Sequence, residues 1–388
     1  LDAAKRYTFE DIDTRETWTI PGDGEFEIRA ELKSAKIISF KPATGDANAV
    51  PILNDAMRAF LSRPRWERMG LLLDNSFRAA ARQAGSHPKP YEIKIAGADD
   101  TTVVEFCKTP ATDVIRTVKA GNGVVCIDNL EVATHYEWRA IKGGQAIARG
   151  AFATEDGVPR VCRIDGVGNV RDLGGRVTKD GKRIRQGLVY RSAAFNRTAS
   201  TPKEKDKSQW KPGATLLSHE SRREALETFG FKTDLDFRNQ EETFGMTDSP
   251  LGKEVRWLEI VSSNYEDMAN AGPKAAFAKD FRLLLDPSNL PLVFHCAGGA
   301  DRTGTFAWII GGILGENEDD LYKDWELTVF NYDAMKFNHW NYIGGLVRML
   351  DAEYPGLSPQ EQCVAYAMEC GISDNEIARF RELMLQKN

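Results

Sequence analysis

Cys296 and Arg302 are separated by Ala297, Gly298, Gly299, Ala300 and Asp301. Small residues at this spacing let backbone N–H groups turn inward around one tetrahedral dianion. The apolar run 292–294 ahead of the cysteine reads as a short strand. The run 305–314 behind it reads as a helix, whose N-terminus would face the same anion. The Arg302 guanidinium is expected to grip two oxygens of that anion as a fork. A thiol in such surroundings is favoured as its thiolate, which is the nucleophilic form. The chemistry this suits is phosphomonoester hydrolysis. A monoester resists attack because its charge repels nucleophiles and its alkoxide or phenoxide leaves badly. Fixed donors around the equatorial oxygens answer the first difficulty. In-line attack by Cys296 gives a phosphocysteine and splits one hard step into two. A general acid, contributing about 10²–10⁴-fold, answers the second difficulty. Two aspartates are candidates for it, Asp301 inside the loop and Asp267 upstream.

The stretch His295-Cys296-Ala297-Gly298-Gly299-Ala300-Asp301-Arg302-Thr303-Gly304 resembles the Cys-x5-Arg signature of the protein tyrosine phosphatase superfamily. More narrowly, it is similar to the bacterial tyrosine/lipid phosphatase branch, HCxxGKDRTG. The block Asn169-Val170-Arg171-Asp172-Leu173-Gly174-Gly175 is similar to that branch's N-terminal N-F-R-D-x-G-G motif. Tyr190-Arg191-Ser192 and Asp234-Leu235-Asp236-Phe237-Arg238 follow in family order. The resemblance covers roughly 161–385. It implies Cys296 as nucleophile, Arg302 as anion clamp and Asp301 as general acid. Asp267 is the alternative, since other superfamily members keep the acid on a separate loop. Ala297, Gly298, Gly299, Ala300, Thr303 and Gly304 would form the substrate-binding loop, with the Thr303 hydroxyl donating to the thiolate. Arg171, Asp172 and Arg191 would line the rim or brace the loop, and His295 would bond nearby backbone. Neither metal nor cofactor is implied. The branch usually has lysine where this chain has Ala300. Its loss removes a charge for polyanionic headgroups and favours phosphotyrosine or a simple monoester.

The rest of the chain must position that loop. A chain of 388 residues is long for a single core, and its net charge of −6 gives no support to a nucleic-acid surface. No apolar run approaches the ~20 residues that span a bilayer. The six cysteines lack the paired spacing of a zinc site, although Cys107 and Cys126 could pair across strands. The sequence begins at Leu1 rather than Met, which fits a removed secretory leader.

Three regions are expected. Residues 1–84 mix strand-like alternation (26–32, 35–40) with helical spacing over 51–84, broken at Pro64. Residues 85–157 read as an all-β, sandwich-like domain with strands at 91–95, 102–106, 123–127, 135–141 and 145–152. Leu130 and Tyr136 resemble the tyrosine-corner pattern of fibronectin type III and immunoglobulin-like sandwiches. Such modules are commoner outside the cytoplasm, so the expected location is periplasmic or secreted, with cytoplasmic as the alternative.

Residues 161–388 are expected to form the α/β phosphatase domain, a central sheet flanked by helices with the cysteine loop between strand and helix. Within it, 196–214 reads as a polar insertion. Ser358-Pro359-Gln360-Glu361 and Ser373-Asp374-Asn375-Glu376 read as N-caps of two closing helices. The function read from the sequence is a protein-tyrosine phosphatase acting on a phosphorylated protein or small phosphomonoester. The alternatives are a phosphoinositide or inositol phosphate phosphatase, and a non-catalytic phosphate-binding module. A sulfurtransferase does not require Arg302-Thr303-Gly304. An arsenate reductase needs a resolving thiol, and no other cysteine is close in sequence.

Overall fold

The computed structural model describes residues 6–11, 17–21, 38–42, 49–196, 213–331 and 342–386. The chain divides into two compact units, Leu1–Val50 and Pro51–Asn388. In the first, Arg6–Asp11 is the central strand of an antiparallel three-stranded sheet between Thr17–Pro21 and Ile38–Pro42. The last of these overlaps the strand expected over 35–40. The one expected over 26–32 lies outside the described residues, as does 197–212 of the expected polar insertion.

The second unit opens with three helices, Asp55–Leu61, Arg65–Leu73 and Asn75–Ala84. Pro64 caps the second, as its fixed φ and missing N–H dictate. The sequence shows that break and misses the next. There Asp74 ends one helix and caps the following one, its carboxylate accepting from the N–H groups of Ser76 and Phe77. Sequence reading grouped these helices with the N-terminal region. They bury Met57, Phe60, Leu61, Leu72 and Ala81 in the same core as the helix that follows the cysteine loop. Arg68 is 1% exposed and donates from Nε to Glu326 Oε2 and from Nη2 to Asp319 Oδ1, both at 2.5 Å.

Next comes a region of short strands. Val114–Lys119, Val103–Lys108, His135–Lys142 and Gln145–Ala153 form an antiparallel sheet in that order, and Tyr91–Lys94 pairs with Val124–Ile127. Alternate residues of both, among them Ile93, Val125, Ile127, Val104, Phe106, Tyr136 and Ala140, share one apolar core. The strand Val114–Lys119 escapes sequence reading because it is an exposed edge with charged residues interleaved. Cys107 and Cys126 lie in different sheets, and all six cysteines are free thiols. The pairing considered for those two is not made.

The remaining chain builds a mixed six-stranded sheet in the order Arg160–Val161, Arg171–Asp172, Val189–Ser192, Leu292–His295, Thr233–Asp236 and Arg256–Glu259. The last four run parallel, with Leu292–His295 fully buried between two neighbours. A continuous apolar run is what burial on both faces demands. The helix Arg302–Leu314 packs behind it and is buried almost throughout. It begins at Arg302, three residues before the start expected from its apolar run. The closing helices Pro359–Glu369 and Asp374–Met384 carry the two capping boxes that the sequence announces, at Ser358/Glu361 and Ser373/Glu376.

Candidate active site

Cys296 directly follows the strand Leu292–His295 at 2% exposure, and the loop it opens is held from behind. The Cys296 carbonyl lies 3.3 Å from His295 Nδ1, and the Ala297 carbonyl accepts from the Ala194 N–H at 3.1 Å. Asn169 Nδ2 donates to the carbonyls of Gly298 (3.1 Å) and Gly299 (2.9 Å), and Arg191 Nη2 adds a second bond to Gly299. In a planar trans peptide the N–H of the next residue points opposite to the carbonyl. Four carbonyls drawn backward therefore turn the N–H groups of Ala297, Gly298, Gly299 and Ala300 forward. None of these has an acceptor among the described residues. Gly299 is required here: its φ is +66°, and a Cβ would stand 2.4 Å from the Ser192 carbonyl oxygen. The result is a ring of forward donors with a helix N-terminus beside it, the arrangement that binds a tetrahedral anion.

Arg302 is anchored rather than loose. Its Nη1 and Nη2 form a fork on Glu242 at 2.7 and 2.6 Å, and Nη1 also donates to the Phe237 carbonyl at 3.2 Å. These contacts use both Nη1 hydrogens and one on Nη2. The Nε–H and the second Nη2–H remain, adjacent along one edge, without a partner among the described residues. The sequence expectation is thus corrected in detail: one edge of the guanidinium serves a carboxylate, and the other can serve an anion. Glu242 ends a capping box with Asn239, and the Arg302 bond lowers its pKa. Glu242 went unread in the sequence, although Asn239-x-x-Glu242 is a visible capping signal.

Behind the loop lies a buried ionic cluster. Asp324 takes Arg191 on one oxygen, and on the other Arg171 (3.1 Å) and Arg176 (2.7 Å). Arg171 also bonds Asn169 Oδ1, and Arg176 bonds Glu316 at 2.6 Å. Burial works against the Asp324 charge, yet Arg191, Arg171 and Arg176 outweigh it and hold the carboxyl well below its usual range. Burial, with Arg191 adjacent, lowers Arg171 to about 9. Arg171 and Arg191 are 1% and 0% exposed, so they brace the loop and do not reach its rim. Asp172 is likewise internal, bound to Arg160 (2.6 Å) and to the N–H groups of Gly174 and Gly187. Of the roles expected for these three, lining the rim or bracing the loop, the structure leaves the second, because full burial keeps all three away from a ligand at the rim.

Asp301 precedes the helix and is partly exposed, its Oδ1 accepting from the Tyr265 hydroxyl at 2.6 Å. Asp267 sits on the same 3₁₀ turn as Tyr265 (Tyr265–Ala269), but it is exposed, and no contact joins it to the loop among the described residues. Tyr265, which sequence reading missed, is the residue of that turn that meets the loop. Thr303 is fully buried in the first helical turn and its hydroxyl has no partner among the described residues, so the expected bond to Cys296 is not made. His295 Nε2 stands 2.8 Å from Asp234. Burial depresses its pKa, but Asp236 and Asp234 raise it overall. Asp236 also forks Arg238 at 2.8 and 2.6 Å with both residues fully buried, a structural ion pair. Gly304 needs its bare Cα, since a Cβ would come 2.8 Å from Trp325.

The model of the tyrosine phosphatase family matches this chain over 162–208 and 214–386, more than half its length. A Cupriavidus necator protein named as a tyrosine-protein phosphatase is 25% identical over 188 residues, which are 42% of this chain and 60% of that one. The chain thus spans less than two thirds of the length of that curated relative. Two solved structures are also similar. One is the core catalytic domain of the PP-IP phosphatase SIW14 from S. cerevisiae, in complex with citrate, at 16% identity and a TM-score of 0.25, covering 47% of this chain and 92% of that one. The other is TpbA of P. aeruginosa in complex with pTyr, at 17% and 0.28, covering 48% and 90%. The chain belongs to the tyrosine phosphatase family and carries that family's cysteine-dependent phosphatase domain.

Proposed function

We propose that the protein hydrolyses phosphomonoesters through a phosphocysteine on Cys296, with phosphotyrosine as the favoured substrate. The observation that carries this is the set of forward N–H groups at Ala297, Gly298, Gly299 and Ala300, closing round the nucleophile and the Nε/Nη2 edge of Arg302. The Cys296 thiolate attacks phosphorus, and the P–O bond to the leaving group breaks as Asp301 protonates the departing oxygen. Asp301 then takes a proton from water. The hydroxide attacks phosphorus, the S–P bond breaks, and phosphate and thiolate are released. The donors are fixed before the reaction, so stabilising the transition state costs no reorganisation. Ala300 supports the narrower choice of substrate, since it is buried and adds no charge for a second phosphate.

Two further readings accompany this one. Residues 85–157 form a fibronectin type III or immunoglobulin-like module; the Tyr136 hydroxyl accepting the Glu131 N–H at 2.9 Å supports it. A module of that class fits a periplasmic or secreted protein.

Cys296→Ser is expected to lower p-nitrophenyl phosphate turnover by about 10⁴-fold or more while inorganic phosphate still binds by calorimetry. Retained turnover sinks the covalent route. A panel of phosphotyrosine peptides, phosphoserine peptides and phosphoinositides ranks the substrates, and a preference for phosphoinositides overturns the phosphotyrosine assignment.

A further inference from the structure

Tyr265 stands at φ +53°, a left-handed backbone unusual for a ring-bearing residue. Three contacts pin it there. Its N–H donates to Thr305 Oγ1 of the signature helix (3.1 Å), its ring packs edge-on against Tyr342, and its hydroxyl receives the Trp325 indole N–H at 3.3 Å. An indole nitrogen can only donate. With Trp325 pointing at the phenol oxygen, the phenol's own hydrogen is left to point at Asp301 Oδ1, 2.6 Å away. Burial and the Asp301 charge raise the Tyr265 pKa, so the phenol stays protonated and remains a donor. Among the described residues, the titratable groups that feel the Asp301 charge are Tyr265 on its 3₁₀ turn and Tyr342 ahead of the helix Ile343–Glu353, and Arg302 follows it in the chain.

We propose that Trp325 and Tyr265 form a positioning relay that fixes Asp301 by Oδ1 and presents Oδ2 to the leaving-group oxygen, and then to the attacking water. The proposal rests on the phosphatase reading above and goes beyond it by assigning the support of the acid. Trp325 is the neighbour of Asp324, so one helix, Glu318–Glu326, serves both sides of the site. Asp324 holds the guanidinium that binds the loop's back, and Trp325 holds the phenol that steadies the acid.

The test is Tyr265→Phe, which keeps the ring, assayed against aryl phosphates of graded leaving-group ability. The expected loss in kcat is about 10-fold or more for phenyl phosphate and severalfold smaller for p-nitrophenyl phosphate. A donated hydrogen bond favours a carboxylate's charged form. Its removal is therefore expected to move the alkaline limb of the kcat profile to higher pH. Trp325→Phe, which frees the phenol to rotate, should give a weaker version of the same pattern. A uniform loss across leaving groups with an unmoved limb overturns the relay. So does a Tyr265→Phe/Asp301→Asn double variant whose losses simply add. Absence of Cys296-dependent turnover in the unaltered protein would instead sink the phosphatase reading itself.

Discussion

Asp324 and Asp280 are both buried, both on helices of the phosphatase domain, and opposite in state. Asp324 gathers three guanidinium groups and stays ionised. Asp280, on the helix Ala271–Leu283, has no hydrogen-bond partner on either oxygen among the described residues. Burial lifts its pKa to about 8, with Lys279 only partly opposing. Burial alone therefore does not decide the charge of a carboxylate; partners do. The charge that is kept lies directly behind the anion loop, where Arg191 turns the field into geometry by holding the Gly299 carbonyl. The charge that is given up lies where nothing needs it.

The largest expected effect comes from breaking the paired member. Asp324→Asn leaves the guanidinium groups of Arg171, Arg176 and Arg191 short of an anion in the interior, at a cost of about 3–5 kcal/mol. Urea denaturation would measure it, and phosphatase activity should fall with it. A loss below about 1 kcal/mol would mean that the cluster is hydrated and that the contrast fails. As an acid whose folded pKa is depressed, Asp324 contributes stability that is present above the ordinary carboxylate range and is lost as pH falls below that range towards the folded value.

Asp280 has the reverse sign. Its folded pKa of about 8 exceeds its unfolded value, so the folded state holds the proton more tightly. Stability from this group is complete below about pH 4 and declines as pH rises towards 8. Asp280→Asn should consequently raise Tm at pH 8.5 by a few degrees, on a scale of about 2–4 °C per kcal/mol, and do little at pH 4. An equal effect at both pH values would refute the assigned protonation.

The smallest stability change should come from Glu242→Gln. That pair is partly exposed, with side chains 19% and 32% accessible, so unfolding should shift by under about 1 kcal/mol. The same change releases Arg302 from its anchor, and kcat/KM should drop about 10-fold. A stability loss rivalling that of Asp324→Asn would show the front of the loop to be as buried energetically as its back.

The reaction core was legible because its signal is local. Cys296 to Gly304 is one contiguous strand–loop–helix, and the helix caps at Ser358 and Ser373 are spelled out within four residues each. What escaped was held by long-range partners. Glu242 lies 60 residues from Arg302, and Asp324 lies 133 from Arg191. Asp324 follows Glu318, Asp319 and Asp320 in a stretch that reads as a solvated acidic helix, yet its face with Leu321, Tyr322 and Trp325 is internal. For Arg171 and Arg191 the family motif leaves rim and brace open, since nothing in their immediate neighbours announces the carboxylate they share at Asp324. Asp301 is preferred over Asp267 on its place in the loop motif; that Tyr265 would touch Asp301 depends on packing across 36 residues and has no local signal.

Arg68 sets the limits of the piece of chain that can stand by itself. Family likeness begins at 162, but the helix bearing Asp324 and Trp325 is clamped at Asp319 and Glu326 by an arginine from a much earlier segment. Cutting the gene at the family boundary would strip that clamp and open an apolar wall at Phe330, against which Phe60 and Phe77 are packed. The unit to express, crystallise or transplant therefore starts near Pro51, and a shorter fragment should lose its catalytic geometry before it loses any catalytic residue.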